Sequence, residues 1–223
     1  MFKVLKRLYG EDIRYLCFQY DYTLNEHKRT ATWPLISSPL PLLALVAAYL
    51  YCVYIFLPKY MANRKPYSLK KYIAFYNVFQ VIACCVVIYG ISTSGWTMNY
   101  ILRCQELDLS DDPIAIRMAH YIWLCFIVKV IELTETFVFI LRKKSTQVSP
   151  LHVYHHSSTV LYAWLGVKYY PGGMAAFPIL LNAFVHIIMY SYYFLSSLGP
   201  EMQTKLQVIK SKITVIQIVS FQK

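Results

Sequence analysis

The sequence places three histidines, His152, His155 and His156, at the start of an apolar segment, and a fourth, His186, inside the next one. On a helix, positions i, i+3 and i+4 lie on one face, so the three clustered imidazoles would point in one direction. An imidazole can act as a general base, as a metal ligand, or as a nucleophile that accepts an acyl group. Because each buried imidazole needs partners for both ring nitrogens, the cluster indicates a site that does chemistry.

A second polar group lies in the preceding apolar segment, K-V-I-E-L-T-E-T, which carries Lys129, Glu132, Glu135 and Thr136. Lys129 and Glu132 are i,i+3 neighbours. A charge at the centre of a bilayer costs about 2.5–3.5 kcal/mol even on lenient scales, so this stripe is expected to face other helices. A self-neutralising ion pair that only fixes helix packing is the structural alternative.

A third polar stripe accompanies His186. Asn182, His186 and Tyr190 are spaced i, i+4 and i+8, and Tyr193 lies close by. Any one of them alone is better explained as a core residue with satisfied hydrogen bonds. Four histidines together with a carboxylate stripe on a neighbouring helix favour a functional site.

The elements that position these residues are predicted to be transmembrane helices. The chain is 57% hydrophobic and only 15% charged, which is typical of a membrane protein. The basic residues that give its net charge of +11 lie between the apolar runs, so they indicate membrane topology and not a nucleic-acid surface. A span needs about 20 apolar residues. The predicted spans are 35–57, 72–94, 116–141, 155–170 with a start extended to Pro150, 175–198 and 213–221, the last cut off by the C-terminus.

Basic residues orient these helices. Segments 58–71, 142–149 and 199–212 carry five, three and three Lys or Arg, whereas 95–115 and 171–174 carry one and none. The first three segments are therefore expected on the cytosolic side. The polar arm 1–33 would then lie on the opposite side, with the segment 95–115.

Two chemistries could use the histidines. Imidazoles with Glu132 could ligate zinc or iron, and an H-x-x-H-H box occurs in membrane di-iron oxygenases. Di-iron enzymes of that kind use more histidines than the six in this chain, although a mononuclear site stays open. Alternatively, one imidazole could accept an acyl group in a dry pocket that protects the intermediate from water.

Four segments, K-V-I-E-L-T-E-T, H-V-Y-H-H, H-I-I-M-Y-S-Y-Y and T-V-I-Q-I-V-S-F, match the order and approximate spacing of known signature motifs. Through them the chain resembles, from about Pro34 to Phe221, the very-long-chain fatty acid elongases, the ELO family of 3-ketoacyl-CoA synthases. It departs from the family pattern at Glu135, where the family has Asp, and at Ser220, where the family has Gln. The paired lysines of the family are also interrupted, as Lys210-Ser211-Lys212.

The resemblance implies an all-α, polytopic enzyme of the endoplasmic reticulum, with seven transmembrane helices, six of which form a barrel around an acyl tunnel. Residues 1–33 would be a polar arm and 34–223 the elongase transmembrane domain. Because the chain stops at Lys223, the seventh helix is expected to be missing and the barrel truncated to about six helices. Such a chain is expected to be either an incomplete enzyme or an inactive one.

The implied reaction condenses a long-chain acyl-CoA with malonyl-CoA to a 3-ketoacyl-CoA, CoA and carbon dioxide, without a metal or another cofactor. His155 would accept the acyl group as an acyl-imidazole, with His186 as its partner across the tunnel. His152 and His156 would position groups or deprotonate them, and Asn182 would hold His186. Lys129, Glu132 and Glu135 would tune the charge of the imidazoles.

The resemblance also implies substrate contacts. Tyr190, Tyr193 and Gln217 would bind substrate, and Lys210 and Lys212 would contact the phosphates of CoA, unless they serve only as topology signals. Membrane lipid, the ketoacyl-CoA reductase, other enzymes of the elongation cycle and a second copy of this chain are candidate partners, and nucleic acid is not. The competing hypotheses are a metal-dependent membrane lipid oxygenase, a transporter and a non-catalytic membrane partner.

Overall fold

A computed structural model describes residues 29–95, 107–108 and 110–207 of the chain. Helices and turns account for its regular structure in these ranges, which confirms the predicted all-α class. Five long helices are described: α1 Pro39–Met61, α2 Lys70–Thr93, α3 Pro113–Leu141, α4 Pro150–Tyr169 and α5 Ala176–Ser197. Residues 200–207 are also helical. The predicted span 213–221 and most of the arm 1–33 lie outside the described residues.

Three of these helices begin at a polar cap that is followed by proline. Ser38, Asp112 and Ser149 each accept a hydrogen bond from a backbone N–H of the first turn. Proline suits the next position because its missing N–H would have had no helical partner there. Ser149 Oγ lies 3.1 Å from the backbone nitrogen of His152. The cap therefore starts α4 at Pro150, as predicted, and brings His152 into its first turn.

Helix α1 starts four residues later than the apolar run predicts. Leu35 has a positive φ of 65°, which the right-handed helix does not accept. Its carbonyl accepts a hydrogen bond from the Trp164 indole at 2.8 Å, and the Pro34 carbonyl accepts one from Trp123 at 3.2 Å. These two carbonyls therefore attach the segment before α1 to α3 and α4, and α1 begins only after Ser38.

Helix α1 also contains a π-helical turn at Cys52–Phe56, between α-helical stretches Pro39–Tyr51 and Leu57–Met61. Three residues of α1 are buried: Tyr49 before this turn, Val53 within it and Met61 after it. The wider turn keeps these residues on the side of α1 that packs against α3.

Contacts at the two ends of the bundle agree with the predicted sidedness. The Arg29 guanidinium donates hydrogen bonds to the carbonyls of Ser110 and Asp108, so residue 29 lies at the same end as the segment before α3. At the other end, the Tyr67 N–H donates to the Leu141 carbonyl at 3.0 Å. The loops after α1 and after α3 are thus neighbours, as expected for two cytosolic loops.

Among the described residues, three helices are long and apolar enough to cross a membrane: Pro39–Met61, Lys70–Thr93 and Gly173–Ser197. Helix α3 is long enough to span but carries three buried charges at its centre, and α4 carries three histidines. Large hydrophobic side chains are exposed on the outside of α1, α2 and α4, as expected for surfaces that face lipid.

Helix α3 is the centre of the described bundle, since it packs against α1, α2, α4 and α5. Gly90 lets α2 approach it closely, because a Cβ at this position would lie 2.1 Å from Tyr121 Cδ1. Helices α4 and α5 make few contacts with each other. The histidines of α4 and the histidine of α5 therefore reach the same helix, α3, from different sides.

Candidate active site

The polar stripe of α3 is buried in the bundle. Lys129, Glu132, Glu135 and Thr136 each expose less than a tenth of their surface, and Glu132 exposes 2%. The Lys129 ammonium donates to both oxygens of the Glu132 carboxylate, at 2.9 and 3.0 Å. The helical spacing i,i+3 makes this contact local, so the two charges compensate each other wherever α3 is placed.

His186 of α5 completes this ion pair. Its Nδ1 lies 3.1 Å from Glu132 Oε1 and 3.4 Å from Lys129 Nζ. A carboxylate accepts hydrogen bonds and an ammonium only donates them, so the shorter contact assigns the ring proton to Nδ1. The Nε2 lone pair then faces the Asn182 amide, 3.4 Å away. The long distance makes this a weak contact, which leaves the lone pair of Nε2 available to accept a proton.

The histidines of α4 meet the other end of the stripe. His152 Nε2 lies 3.0 Å from Thr136 Oγ1, and His156 Nε2 lies 3.7 Å from Glu135 Oε2. The rings of His152 and His156 are 4.2 Å apart, and that of His155 meets His156 edge-on at 5.7 Å. The cluster therefore packs ring against ring on the face that α4 turns to α3.

His155 is half-buried, whereas His156 is buried. His155 lies within the electrostatic range of Lys129, Glu132 and His186. Of the three clustered imidazoles it is thus both reachable and close to the ion pair.

The predicted tyrosines extend the site beyond His186. Tyr190 is fully buried and meets His186, Tyr76 and Tyr193 edge-on, with ring centroids 5.5, 5.9 and 6.2 Å apart. Gln80 donates a hydrogen bond to the Tyr76 hydroxyl at 2.9 Å. Tyr76 and Gln80 of α2 were not among the predicted site residues. Their i,i+4 spacing within an apolar run was the available signal.

A small cavity of about 10 Å³ lies beside the ion pair. Lys129 and Asn182 contribute its polar lining, and the thiols Cys84 and Cys125 border it with apolar neighbours. This space is about that of one water molecule. Within the ranges that the structure describes, no three His, Cys, Asp or Glu side chains are arranged as ligands of one metal ion.

Eight predicted catalytic residues, on three helices, thus form a polar cluster along the buried stripe of α3. They are His152, His155, His156, His186, Asn182, Lys129, Glu132 and Glu135. The predicted substrate-binding residues Lys210, Lys212 and Gln217 lie outside the described residues.

The arrangement suits acyl transfer through a neutral imidazole. Lys129 and Glu132 cancel each other in charge, so the ion pair as a whole does not require a charged histidine beside it. A neutral imidazole keeps a lone pair that can attack a carbonyl carbon. Burial of His156 and His186 among the helices limits the access of water that would hydrolyse an acyl-imidazole.

Comparison with known proteins gives a consistent result. Residues 34–222 match the family described as ELO, the GNS1/SUR4 family. The chain is 45% identical to a very long chain fatty acid elongase of Aedes aegypti, over 86% of this chain and 54% of that protein. It is 42% identical to very long chain fatty acid elongase 1 of Mus musculus and 44% identical to elongase 7 of Rattus norvegicus. These alignments cover 86% of this chain and 69% and 68% of the two relatives.

The chain therefore spans between about half and two thirds of the length of these relatives. The matched region contains all five described helices and the whole polar cluster. From the match over most of its length, this chain is a multi-pass membrane protein that belongs to the ELO, or GNS1/SUR4, family.

Proposed function

We propose that this chain catalyses the condensing step of very-long-chain fatty acid elongation. A long-chain acyl-CoA and malonyl-CoA would give a 3-ketoacyl-CoA that is two carbons longer, with release of CoA and carbon dioxide. The observation that carries the proposal is the gathering of four histidines along the buried polar stripe of α3, where His186 contacts Glu132, His156 lies beside Glu135 and His152 contacts Thr136. Membership of the ELO family and the names of the relatives support the same activity.

The reaction would proceed in two half-reactions. In the first, a ring nitrogen of His155 attacks the thioester carbon, the C–S bond breaks, and CoA leaves as its thiol after taking up the imidazole proton. In the second, malonyl-CoA loses carbon dioxide to give an enolate. The enolate carbon attacks the acyl carbonyl and displaces the imidazole as its anion, which takes up one proton from solvent and returns in its neutral form. With that one proton, atoms and charges balance without an oxidant or a metal.

The remaining residues support these steps. Glu132 holds His186 with its proton on Nδ1, so its Nε2 can accept a proton and, once protonated, donate a hydrogen bond to the enolate oxygen. His152 and His156 position groups or deprotonate them, and Glu135 and Lys129 balance charge. Tyr190 and Tyr193 provide the aromatic wall of the substrate site.

Outside the described residues, Gln217 would contact substrate, and Lys210 and Lys212 would pair with the phosphates of CoA. The entrance of the site would then lie on the cytosolic side of the endoplasmic reticulum membrane. The ketoacyl-CoA reductase and the later enzymes of the cycle are the expected partners, since they consume the product.

Elongation is tested with this chain in microsomes, supplied with a long-chain acyl-CoA and radiolabelled malonyl-CoA. The proposal predicts a labelled 3-ketoacyl product that disappears in His155→Ala. His120→Ala is the matched control, because His120 is exposed near the start of α3, where it stacks on Trp33. An unlabelled product pool under conditions in which a relative is active would contradict the proposed activity.

The half-reaction provides a second test. Acyl-CoA alone should release close to one CoA per active site and leave the acyl group on the peptide that contains His155. Mass spectrometry of the digested protein identifies that peptide. An acyl group found on another side chain, or no CoA release without malonyl-CoA, would exclude His155 as the acceptor.

A further inference from the structure

We propose that Tyr49 of α1 is a positioning residue of this site. Through Thr136 it fixes the tautomer of His152, with the proton on Nδ1 and the lone pair of Nε2 directed to Thr136. The effect on turnover rests on the proposed function. The tautomer itself is a property of the folded chain and can be measured without activity.

The contacts form a continuous chain from α1 through α3 to α4. The Tyr49 hydroxyl lies 2.9 Å from Thr136 Oγ1, which lies 3.0 Å from His152 Nε2. Tyr49 is 2% exposed and Thr136 is 0% exposed, so bulk water does not compete for these hydrogen bonds. The Tyr49 ring packs on Phe137 with centroids 5.7 Å apart, which holds its hydroxyl in place.

The burial of the donor left over decides the direction of the chain. If Tyr49 donates to Thr136 and Thr136 donates to Nε2, both hydroxyl protons are used, and the remaining N–H is the Nδ1–H of the half-buried His152. In the reverse direction Nε2–H donates to Thr136 and Thr136 donates to Tyr49. The phenol proton then lacks an acceptor, because Thr136 is the hydrogen-bond partner of that hydroxyl among the described residues. Leaving such a buried donor unpaired disfavours the reverse direction by about 5- to 150-fold.

This direction defines what His152 can do. An imidazole with its lone pair engaged by Thr136 offers one N–H donor, at Nδ1, and no free lone pair. Of the two roles open to His152, positioning and deprotonation, the hydrogen-bond chain selects positioning. Tyr49 thus acts on the site from α1, a helix that contributes no other member of the polar cluster.

The tautomer is measured on the full chain labelled with ¹⁵N-histidine in lipid nanodiscs. The His152 signals are assigned by their loss in His152→Gln, and the two ring nitrogens are distinguished by their couplings to the ring protons. We expect an unprotonated Nε2 and a protonated Nδ1. In Tyr49→Phe we expect both tautomers, whereas Tyr54→Phe, on the exposed side of the same helix, should leave the spectrum unchanged.

Thr136 provides a second pair of variants if Tyr49→Phe does not fold. Thr136→Ser keeps the hydroxyl, so His152 should keep its proton on Nδ1. The nearly isosteric Thr136→Val removes the hydroxyl, so His152 should populate both tautomers. If the chain elongates, kcat should fall with the fraction of molecules that keep the tautomer, about twofold for an even mixture, while KM stays constant. Thr136→Ser should retain the wild-type kcat.

The proposal is overturned if His152 carries its proton on Nε2 in the wild-type chain. It is also overturned if neither Tyr49→Phe nor Thr136→Val changes the tautomer. Failure of elongation in the wild-type chain as well as in every variant would contradict the proposed activity, and the spectra would still decide the tautomer.

Discussion

The Lys129–Glu132 pair can be tested by a double-mutant cycle that measures folding and not activity. The variants are Lys129→Met, Glu132→Met and the double variant, because methionine fills a similar volume without a charge or a strong hydrogen-bonding group. Each single variant leaves one buried charge without its partner, whereas the double variant leaves none. The double variant is therefore expected to be more stable than either single variant.

The contacts set the magnitudes. Loss of one partner of a buried pair costs about 3–5 kcal/mol. After Lys129→Met, Glu132 keeps its contact with His186 at 3.1 Å, so we expect the lower value, about 3 kcal/mol. After Glu132→Met, the ammonium keeps only the 3.4 Å contact with His186, so we expect about 5 kcal/mol. Independent effects would total about 8 kcal/mol, but the double variant should lose less than about 3 kcal/mol.

The free energy of unfolding is measured in mixed micelles by titration with a denaturing detergent, followed by tryptophan fluorescence. The chain provides its own control in Lys205 and Glu201, which form an i,i+4 pair at 2.7 Å with side chains 66% and 85% exposed. Lys205→Met should change the stability by no more than about 0.5 kcal/mol, because water solvates both charges.

Two results would refute this reasoning. A double variant that loses the full sum would mean that the two residues act independently. A loss in Lys205→Met equal to that in Lys129→Met would mean that burial does not set the cost. Either result would mean that Lys129 and Glu132 contribute to stability as ordinary polar residues do.

Two further predictions concern packing near the end of the bundle at which Arg29 lies. Gly90→Ala should destabilise the fold by about 1–3 kcal/mol, because its Cβ would overlap Tyr121, whereas Gly166→Ala, with no atom within 4 Å of the new Cβ, should be neutral or slightly stabilising. Trp164→Phe should lower the stability more than Trp123→Phe, because the Trp164 indole makes a shorter, less exposed hydrogen bond. Both pairs are compared in the same detergent titration, and a reversed order in either pair would contradict the packing described.

Local sequence patterns predicted the helices and much of the candidate site. The start of α4 followed from Pro150, since proline favours the first turn of a helix. The grouping on α3 followed from the spacing of Lys129 and Glu132, because residues three apart on a helix are neighbours. These features depend on residues close together in sequence.

Long-range contacts could not be predicted in the same way. Tyr49 and Thr136 are 87 positions apart, and nothing marks Tyr49 among the 21 tyrosines of the chain. Near the end of an apolar span, a basic residue such as Lys168 usually lies at the membrane surface as a topology signal. It is instead buried, with its ammonium 4.9 Å from the centre of the Trp164 ring. Only the packing of distant segments decides these environments.

The π-helical turn at Cys52–Phe56 absorbs one residue of α1 without rotating its two ends relative to each other. A π turn accommodates one residue more than the corresponding α-helical turn. In a regular α-helix of the same sequence, Met61 would lie about 120° around the axis from Tyr49, whereas both residues are buried here. Deleting one residue between 52 and 56 would therefore give a regular α-helix that keeps Met61 on the buried side and Tyr67 close to Leu141. A deletion elsewhere in α1 would instead rotate one end by about 100° relative to the other, so single-residue deletions should be better tolerated at this turn than in the rest of the helix.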